Sequence, residues 1–509
     1  MNKNIETDVL ALLAKGNGDD IILSDLEHQY SLDEIYAQCN ELEHILSQQD
    51  IKLLAMYVEN GPPWVVADML CQRLNICLVP LPSFFSPLQL NAVLAECGAA
   101  HLLTDNPEAL RALCESPFGM PGAKTGLQLF RLDNGENRAP RLPRETGKIT
   151  FTSGSTGEAK GVCLSNRQLL KQAAALADSV GIKSPRHLCL LPLSTLLENV
   201  AGIYAPLLAG GQVILPSLAE MGYVGSRLVA PEKFLEVISR TQPDTVILIP
   251  ELLKLLVAAA KSGWPVPDSF KFIAVGGSRV GSTLLAEAWS MGLPVYEGYG
   301  LSECASVVSL NTQNANLEGS CGKVLSHLEV SVVDGEIVVE GNAMLGYLNQ
   351  SENWYPEAIA TGDLGYQDEK GFLHLQGRKK NMLISSYGRN ISPEWVESEL
   401  QANPLLQDAV VFGDARPSCV ALVSSRELQL EDEVINQWII HVNEKLPDYA
   451  RISAWHRLRQ PLGLLPGLLT GNGRPRREQI ANHYKKEIQA LYSGLLPQTE
   501  IAEVKEMLS

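Results

Sequence analysis

The chain has 509 residues, of which 45% are hydrophobic and 19% charged, with a formal net charge of −17 at pH 7. This length exceeds one ordinary hydrophobic core and predicts two or more domains, while the acidic balance argues against a nucleic acid partner. Ten cysteines without a Cys-x-x-Cys pair argue against a zinc site or a disulfide framework and read as small core residues of a reduced, cytoplasmic compartment.

The first residues, Met1 to Asp8, contain no apolar signal core. From there to about residue 376, short apolar runs alternate with helical patterns. Runs at 53–58, 77–81, 187–191, 212–215, 245–249 and 272–275 predict buried strands in doubly wound α/β sheets. The longest apolar stretch, 200–216, is broken by Gly202, Pro206, Gly210, Gly211 and Gln212, so no transmembrane segment is expected. The pattern grows denser in strands from 328 to 375, around the turn Asp334-Gly335, and predicts a small β-barrel or β-rich subdomain. After Gly377-Arg378-Lys379-Lys380 a smaller α+β pattern begins. Helices are expected over 394–400 and 432–445, and strands over 408–412 and 419–424.

Within the first pattern lies Ile149-Thr150-Phe151-Thr152-Ser153-Gly154-Ser155-Thr156-Gly157-Glu158-Ala159-Lys160-Gly161. The hydroxyls of Thr152, Ser153, Ser155 and Thr156 can donate to phosphate oxygens, and Lys160 adds a point charge. Gly154, Gly157 and Gly161 allow backbone N–H groups to approach an anion closely. With a β-rich run at 148–152 before it and a helical pattern at 166–180 after it, the segment reads as a strand–loop–helix phosphate cradle. It is not a Walker loop, because Ala159 precedes the lysine, and it is not a dinucleotide fingerprint.

The loop resembles the signature of the adenylate-forming superfamily: acyl-CoA synthetases, non-ribosomal adenylation domains and firefly-type luciferases. Further segments match in the family's order as far as residue 477. The resemblance implies an AMP-binding domain over 1–377, a hinge over 378–380 and a mobile domain over 381–509, with the active site between them. Gly298-Tyr299-Gly300-Leu301-Ser302-Glu303 resembles the family's Tyr-Gly-x-Thr-Glu segment. On that likeness Tyr299 packs on adenine, Ser302 reaches a phosphate and Glu303 holds magnesium, with Glu297 in the same nucleotide-binding run. Gly276-Gly277-Ser278 resembles the segment lying against adenine. Asp363, in Thr361-Gly362-Asp363-Leu364-Gly365-Tyr366, and Arg378 resemble the ribose-binding pair. Lys380 takes the hinge position, and Gly388 resembles the glycine lining the CoA tunnel.

Two runs, Leu191 to Glu198 and Cys304 to Asn311, resemble long-chain fatty acid–CoA ligases and put Thr195, Leu196 and Val307 in the acyl pocket. Two departures accompany them: Thr195 stands where histidine is usual, and Arg474 where the family has a catalytic lysine. The resemblance thus implies Arg474, Lys160, Thr156 and Glu303 as catalytic residues. It implies ATP- and Mg-dependent activation of a fatty or other apolar carboxylic acid to acyl-AMP, then transfer to CoA. The alternatives are a ligase loading an acyl carrier protein and a nucleotide-binding pseudoenzyme, the latter prompted by Arg474.

Overall fold

The computed structural model describes residues 8–110, 114–118, 124–132, 139–153, 159–225, 227–427, 429–470 and 473–493. The strands expected before residue 300 separate into two sheets. The nine-stranded sheet has six parallel strands at its centre, in the order Val295–Tyr299, Phe272–Val275, Thr245–Leu248, Arg186–Leu188, Gln212–Ile214, Ile21–Ser24. The eight-stranded sheet is parallel through Lys148–Ser153, Cys77–Pro80, Leu53–Tyr57 and His101–Thr104. Thr245–Leu248 and Cys77–Pro80 are buried at every position, as strands covered on both faces must be.

The helix Asn166–Val180 starts at a reciprocal cap between Ser165 and Gln168 and stops at Gly181, whose φ of 67° few other residues adopt. Its Leu169, Ala173 and Leu176 enter the largest core, which also receives Val200, Ile203 and Tyr204 from a buried π-helix, Glu198–Tyr204. At the base of that core Lys148 is buried. Its Nζ lies 2.6 Å from Asp68 Oδ1 and 2.9 Å from the Tyr204 hydroxyl, and it donates to Asn199 Oδ1 at 2.5 Å. Asn199 and Tyr204 in turn donate to Asp68 Oδ2. Lys148, Asp68 and the π-helix are thereby tied together by charge-assisted bonds, so the buried ions are paired.

One expectation is corrected. The signature loop leads not into a helix but into a second strand, Ala159–Leu164, antiparallel to Lys148–Ser153 over six residue pairs. The hairpin forms because Lys148–Leu164 through Ser153–Ala159 pair in unbroken register, and Asn166–Val180 starts only beyond it. The region expected as a small β-barrel or β-rich subdomain forms a four-stranded antiparallel sheet, Glu329–Val333, Glu336–Glu340, Ala358–Gln367, Leu373–Arg378. Its last strand does not close on its first, because residues 321–323 occupy that edge: Cys321 and Leu373 bond through N–H to O at 2.8 Å, and Lys323 bridges Phe372.

Beyond residue 380 a separate core assembles around a three-stranded sheet, Leu406–Phe412, Cys419–Ser425, Ile452–Arg457, with helices Pro393–Leu400 and Asp432–Lys445. This part meets the larger one at the helix Ser282–Ser290. That helix starts at Gly281, which has no side chain to cap it. Glu399 caps it instead from across the interface, accepting from Ser282 N at 3.2 Å, Ser282 Oγ at 3.2 Å and Thr283 Oγ1 at 3.4 Å. A Cβ at position 281 would lie 2.8 Å from the Ser398 carbonyl oxygen, so only glycine permits this approach.

Candidate active site

Where the two parts face each other, a cleft of about 1770 Å³ opens at the C-terminal ends of the parallel strands. Most of the residues expected in the site line it: Thr152 and Lys160 from the hairpin, Gly276, Gly277 and Ser278 after one strand. Glu297, Gly298 and Tyr299 end the next strand, Gly300, Ser302 and Glu303 follow it, and Asp363, Arg378, Lys380 and Arg474 complete the wall. Thr195, Leu196 and Val307 line it as well. Gly154, Ser155, Thr156 and Gly157 lie outside the described residues, and for Ser153 the strand alone is described. Gly388 is exposed in a turn with φ 72° and lies apart from the cleft lining.

Asp363 and Arg378 are direct register partners on adjacent antiparallel strands. Arg378 Nε sits 2.8 Å from Asp363 Oδ1, and the Tyr299 hydroxyl donates to Oδ2 at 2.7 Å. Burial pushes the Asp363 carboxyl up from its ordinary value, while Arg378, the Tyr299 bond and Arg474 pull the other way. Burial, and then the charge of Asp363, pushes the Tyr299 phenol upward, so it remains a donor. Burial likewise lifts Glu297 to about 7 against the pull of Arg279.

Glu303 lies on a single turn, Ser302–Cys304, and its Oε1 accepts from the Tyr347 hydroxyl at 3.0 Å. Lys160 Nζ stands 5.3 Å from the centre of the same Tyr347 ring. Tyr347 thus joins the hairpin lysine to the Glu303 carboxylate. Sequence reading missed it, since it lies 44 residues from Glu303 and belongs to no local motif.

Arg474 reaches from the smaller part across the cleft, and its Nη2 donates to the Gly277 carbonyl at 2.5 Å. Two bonds to Thr470 hold it: Arg474 N donates to Thr470 Oγ1 at 3.0 Å, and Thr470 N to Arg474 O at 2.8 Å. Crowding by the cleft walls and the charge of Arg378 pull its guanidinium below the ordinary value, although the side chain still faces open solvent. Thr195 turns its hydroxyl back onto the Pro192 carbonyl at 2.7 Å. Val307 is held through its carbonyl, which accepts from Gln172 Nε2 at 2.6 Å; the Gln172 Oε1 bonds His327 Nε2 at 2.9 Å.

A sequence profile described as AMP-binding enzyme matches residues 11–348, and one described as AMP-binding enzyme C-terminal domain matches residues 380–495. The chain is 25% identical over 440 residues to the long-chain-fatty-acid–CoA ligase FadD15 of Mycobacterium bovis, which spans 74% of this chain and 72% of that protein. It is 30% identical over 409 residues to the 2-succinylbenzoate–CoA ligase of Bacillus subtilis, spanning 75% and 79%. In fold it is similar to the anthranilate CoA ligase AuaEII in complex with anthranoyl-AMP, with a TM-score of 0.77 at 17% identity over 95% of this chain and 98% of that one. It is also similar in fold to the o-succinylbenzoate CoA synthetase MenE from Bacillus subtilis in complex with ATP and magnesium, with a TM-score of 0.74 at 23% identity over 93% and 98%. Among the described residues no helix is long and apolar enough to cross a membrane. Since the first profile alone covers well over half of the chain, the protein belongs to the AMP-binding enzyme family and is an adenylate-forming enzyme.

Proposed function

We propose that this enzyme is an acid–thiol ligase, which uses ATP and magnesium to convert a fatty or other apolar carboxylic acid to its acyl-adenylate and then transfers the acyl group to CoA. The observation that carries the reading is the convergence of Asp363, Tyr299, Arg378, Glu303, Lys160 and Arg474 on one cleft. The buried Asp363 carboxylate suits two ribose hydroxyls, and Arg378 beside it suits the neighbouring phosphate. Gly276 packs beside Gly298, where a Cβ added at Gly276 would lie 3.4 Å from the Gly298 carbonyl oxygen, which leaves a flat wall for adenine beside Tyr299. Glu303 fits magnesium: it is an oxygen donor in the cleft, with one oxygen oriented by Tyr347 and charge left over for a hard cation. When bound there, the ion would supply charge neutralisation of the ATP phosphates.

The chemistry follows in two steps. The carboxylate oxygen of the acid attacks the α-phosphorus of ATP, and pyrophosphate leaves. The thiol sulfur then attacks the acyl carbonyl, and AMP leaves. Arg474 stands where it can offset charge on the carboxylate and α-phosphate in the first step. Its planar fork replaces a point-charged lysine, and the small Thr195 leaves room for it. Lys380 serves as the hinge of a boundary at 378–380, and Gly388 belongs to the thiol path in a second arrangement of the two parts.

Below the nucleotide end the cleft continues between the nine-stranded sheet and the helical run 198–208. Ala201, Ala205 and Ala209 line it with small side chains, and Leu197, Ile247 and Ala274 add an apolar wall. This favours an extended alkyl chain over an aryl acid. The test is ATP–pyrophosphate exchange with alkanoic and aryl acids, followed by AMP release with and without CoA. Exchange driven by alkanoic acids, and lost in Arg474→Ala while ATP still binds, is the expected result. Exchange with aryl acids alone would overturn the substrate class, and an unaltered Arg474→Ala rate would overturn the role of Arg474.

A further inference from the structure

Three strands of the nine-stranded sheet start side by side at the bottom of this cleft. His187 pairs with Thr245, and Thr245 with Phe272, so the three share one level and one face. All three line the cleft. Ile247 and Ala274 are partners two residues further on, and Ile249 and Gly276 lie two beyond those. At roughly 3.3 Å per strand residue, Thr245 lies about 13 Å below the nucleotide end.

At that depth the apolar wall is interrupted by a chain of hydrogen bonds. Glu198 Oε1 lies 3.2 Å from His187 Nε2, and His187 Nδ1 lies 2.9 Å from Thr245 Oγ1. Glu198 is 0% exposed, His187 2% and Thr245 6%. Burying such groups is unfavourable unless they are bonded, and a plain alkyl chain gains nothing from them. The chain also ends on a group with spare capacity. If Thr245 donates to Nδ1, its oxygen keeps a lone pair; if Nδ1 carries the proton, Thr245 keeps its own O–H. In both states the hydroxyl can still bond something in the cleft. At the other end, Glu198 Oε2 is buried with no hydrogen-bond partner, while its Oε1 faces the imidazole.

We infer that Thr245, positioned by His187 and Glu198, recognises a hydroxyl group carried on the distal part of the acyl chain, so that hydroxylated fatty acids are preferred over plain ones. The inference rests on the acid-activating reading given above. It assigns Thr245 as the contact and His187 and Glu198 as positioning residues.

The experiment compares dodecanoic acid with a set of hydroxydodecanoic acids, the hydroxyl moved stepwise along the distal half, in ATP–pyrophosphate exchange. At least one isomer should exceed the plain acid in kcat/KM by about tenfold, the scale of one net hydrogen bond. Thr245→Val should bring that ratio to about one, and Thr245→Ser should keep it. The ratio is taken within each variant, so a general loss of activity does not enter. A plain-acid preference at every hydroxyl position, or an unchanged ratio in Thr245→Val, overturns the inference while leaving acid activation standing. Absence of exchange with every acid overturns the acid-activating reading and this inference with it. The Cys189 thiol lies with His187 and Glu198 within 4.8 Å, so metal analysis of the purified protein is the remaining arm. A stoichiometric bound transition metal there would overturn the proposed recognition role.

Discussion

Lys148 owes its place to partners it could not be seen to have from the sequence. It opens an apolar strand next to the signature loop, yet Asp68 and Asn199, which neutralise and bond it, lie 80 and 51 residues away. Removing one member of a buried pair leaves the other uncompensated, so Lys148→Met should lower the unfolding free energy by about 3–5 kcal/mol in urea titration. Adding Asp68→Leu should restore a large part of that loss. His327 gives a second test. Burial, with Lys171 nearby, lowers its pKa from 6.5 to about 4. The unfolded chain then takes up a proton between these values when the folded chain does not, so the His327 contribution is present above pH 6.5 and is lost as pH falls toward 4. His327→Gln should flatten the decline in melting temperature across that window. Asp363 and Arg378, by contrast, were legible through the resemblance of their motifs, and the register sets the two opposite each other on adjacent strands.

At the scale of elements, amphipathic helices and apolar strands were the readable part. Asn166–Val180, Asp432–Lys445 and Phe272–Val275 have the expected bounds. The strand Ala159–Leu164 was hidden in the loop motif, because Lys160 and Gly161 belong to both. The edge that keeps the four-stranded sheet open was hidden as well, since residues 321–323 carry no pattern of their own. Gly281 is the element-level test. Gly281→Ala puts a methyl 2.8 Å from the Ser398 carbonyl, and neither backbone can yield cheaply. Adenylation should fall and limited proteolysis near residue 380 should quicken, while the melting transition of each part persists. Unchanged proteolysis and activity would show that the contact is dispensable.

For the molecule as a whole, parallel sheets and a smaller α+β part could be read from alternation, but the number of sheets and the order of strands could not, because pairing across the sheet depends on distant neighbours. Nor could the meeting of Arg474 with Gly277, 197 residues apart, which depends on how the two parts lie against each other. ATP with magnesium should raise the melting temperature of the protein, and GTP should raise it less, because the wall around Gly276 and Tyr299 is flat and closely backed by main chain. Glu303→Gln should reduce exchange severely at every magnesium concentration; activity near that of the parent would remove Glu303 as the metal ligand.

The cap that Glu399 places on the helix Ser282–Ser290 couples two events that would otherwise be independent. The helix begins only four residues after Ser278, on the wall proposed for adenine. Any movement that lifts the smaller part withdraws the carboxylate from Ser282 N, and an uncapped helix start loses about 1 kcal/mol and frays. The wall behind the base then loosens at the moment the cleft widens. On the proposed two-step cycle, departure of the small part and escape of AMP would become a single step, timed by one carboxylate. Glu399→Ala should therefore speed AMP dissociation in stopped-flow measurements, and a dissociation rate equal to that of the parent would uncouple the two.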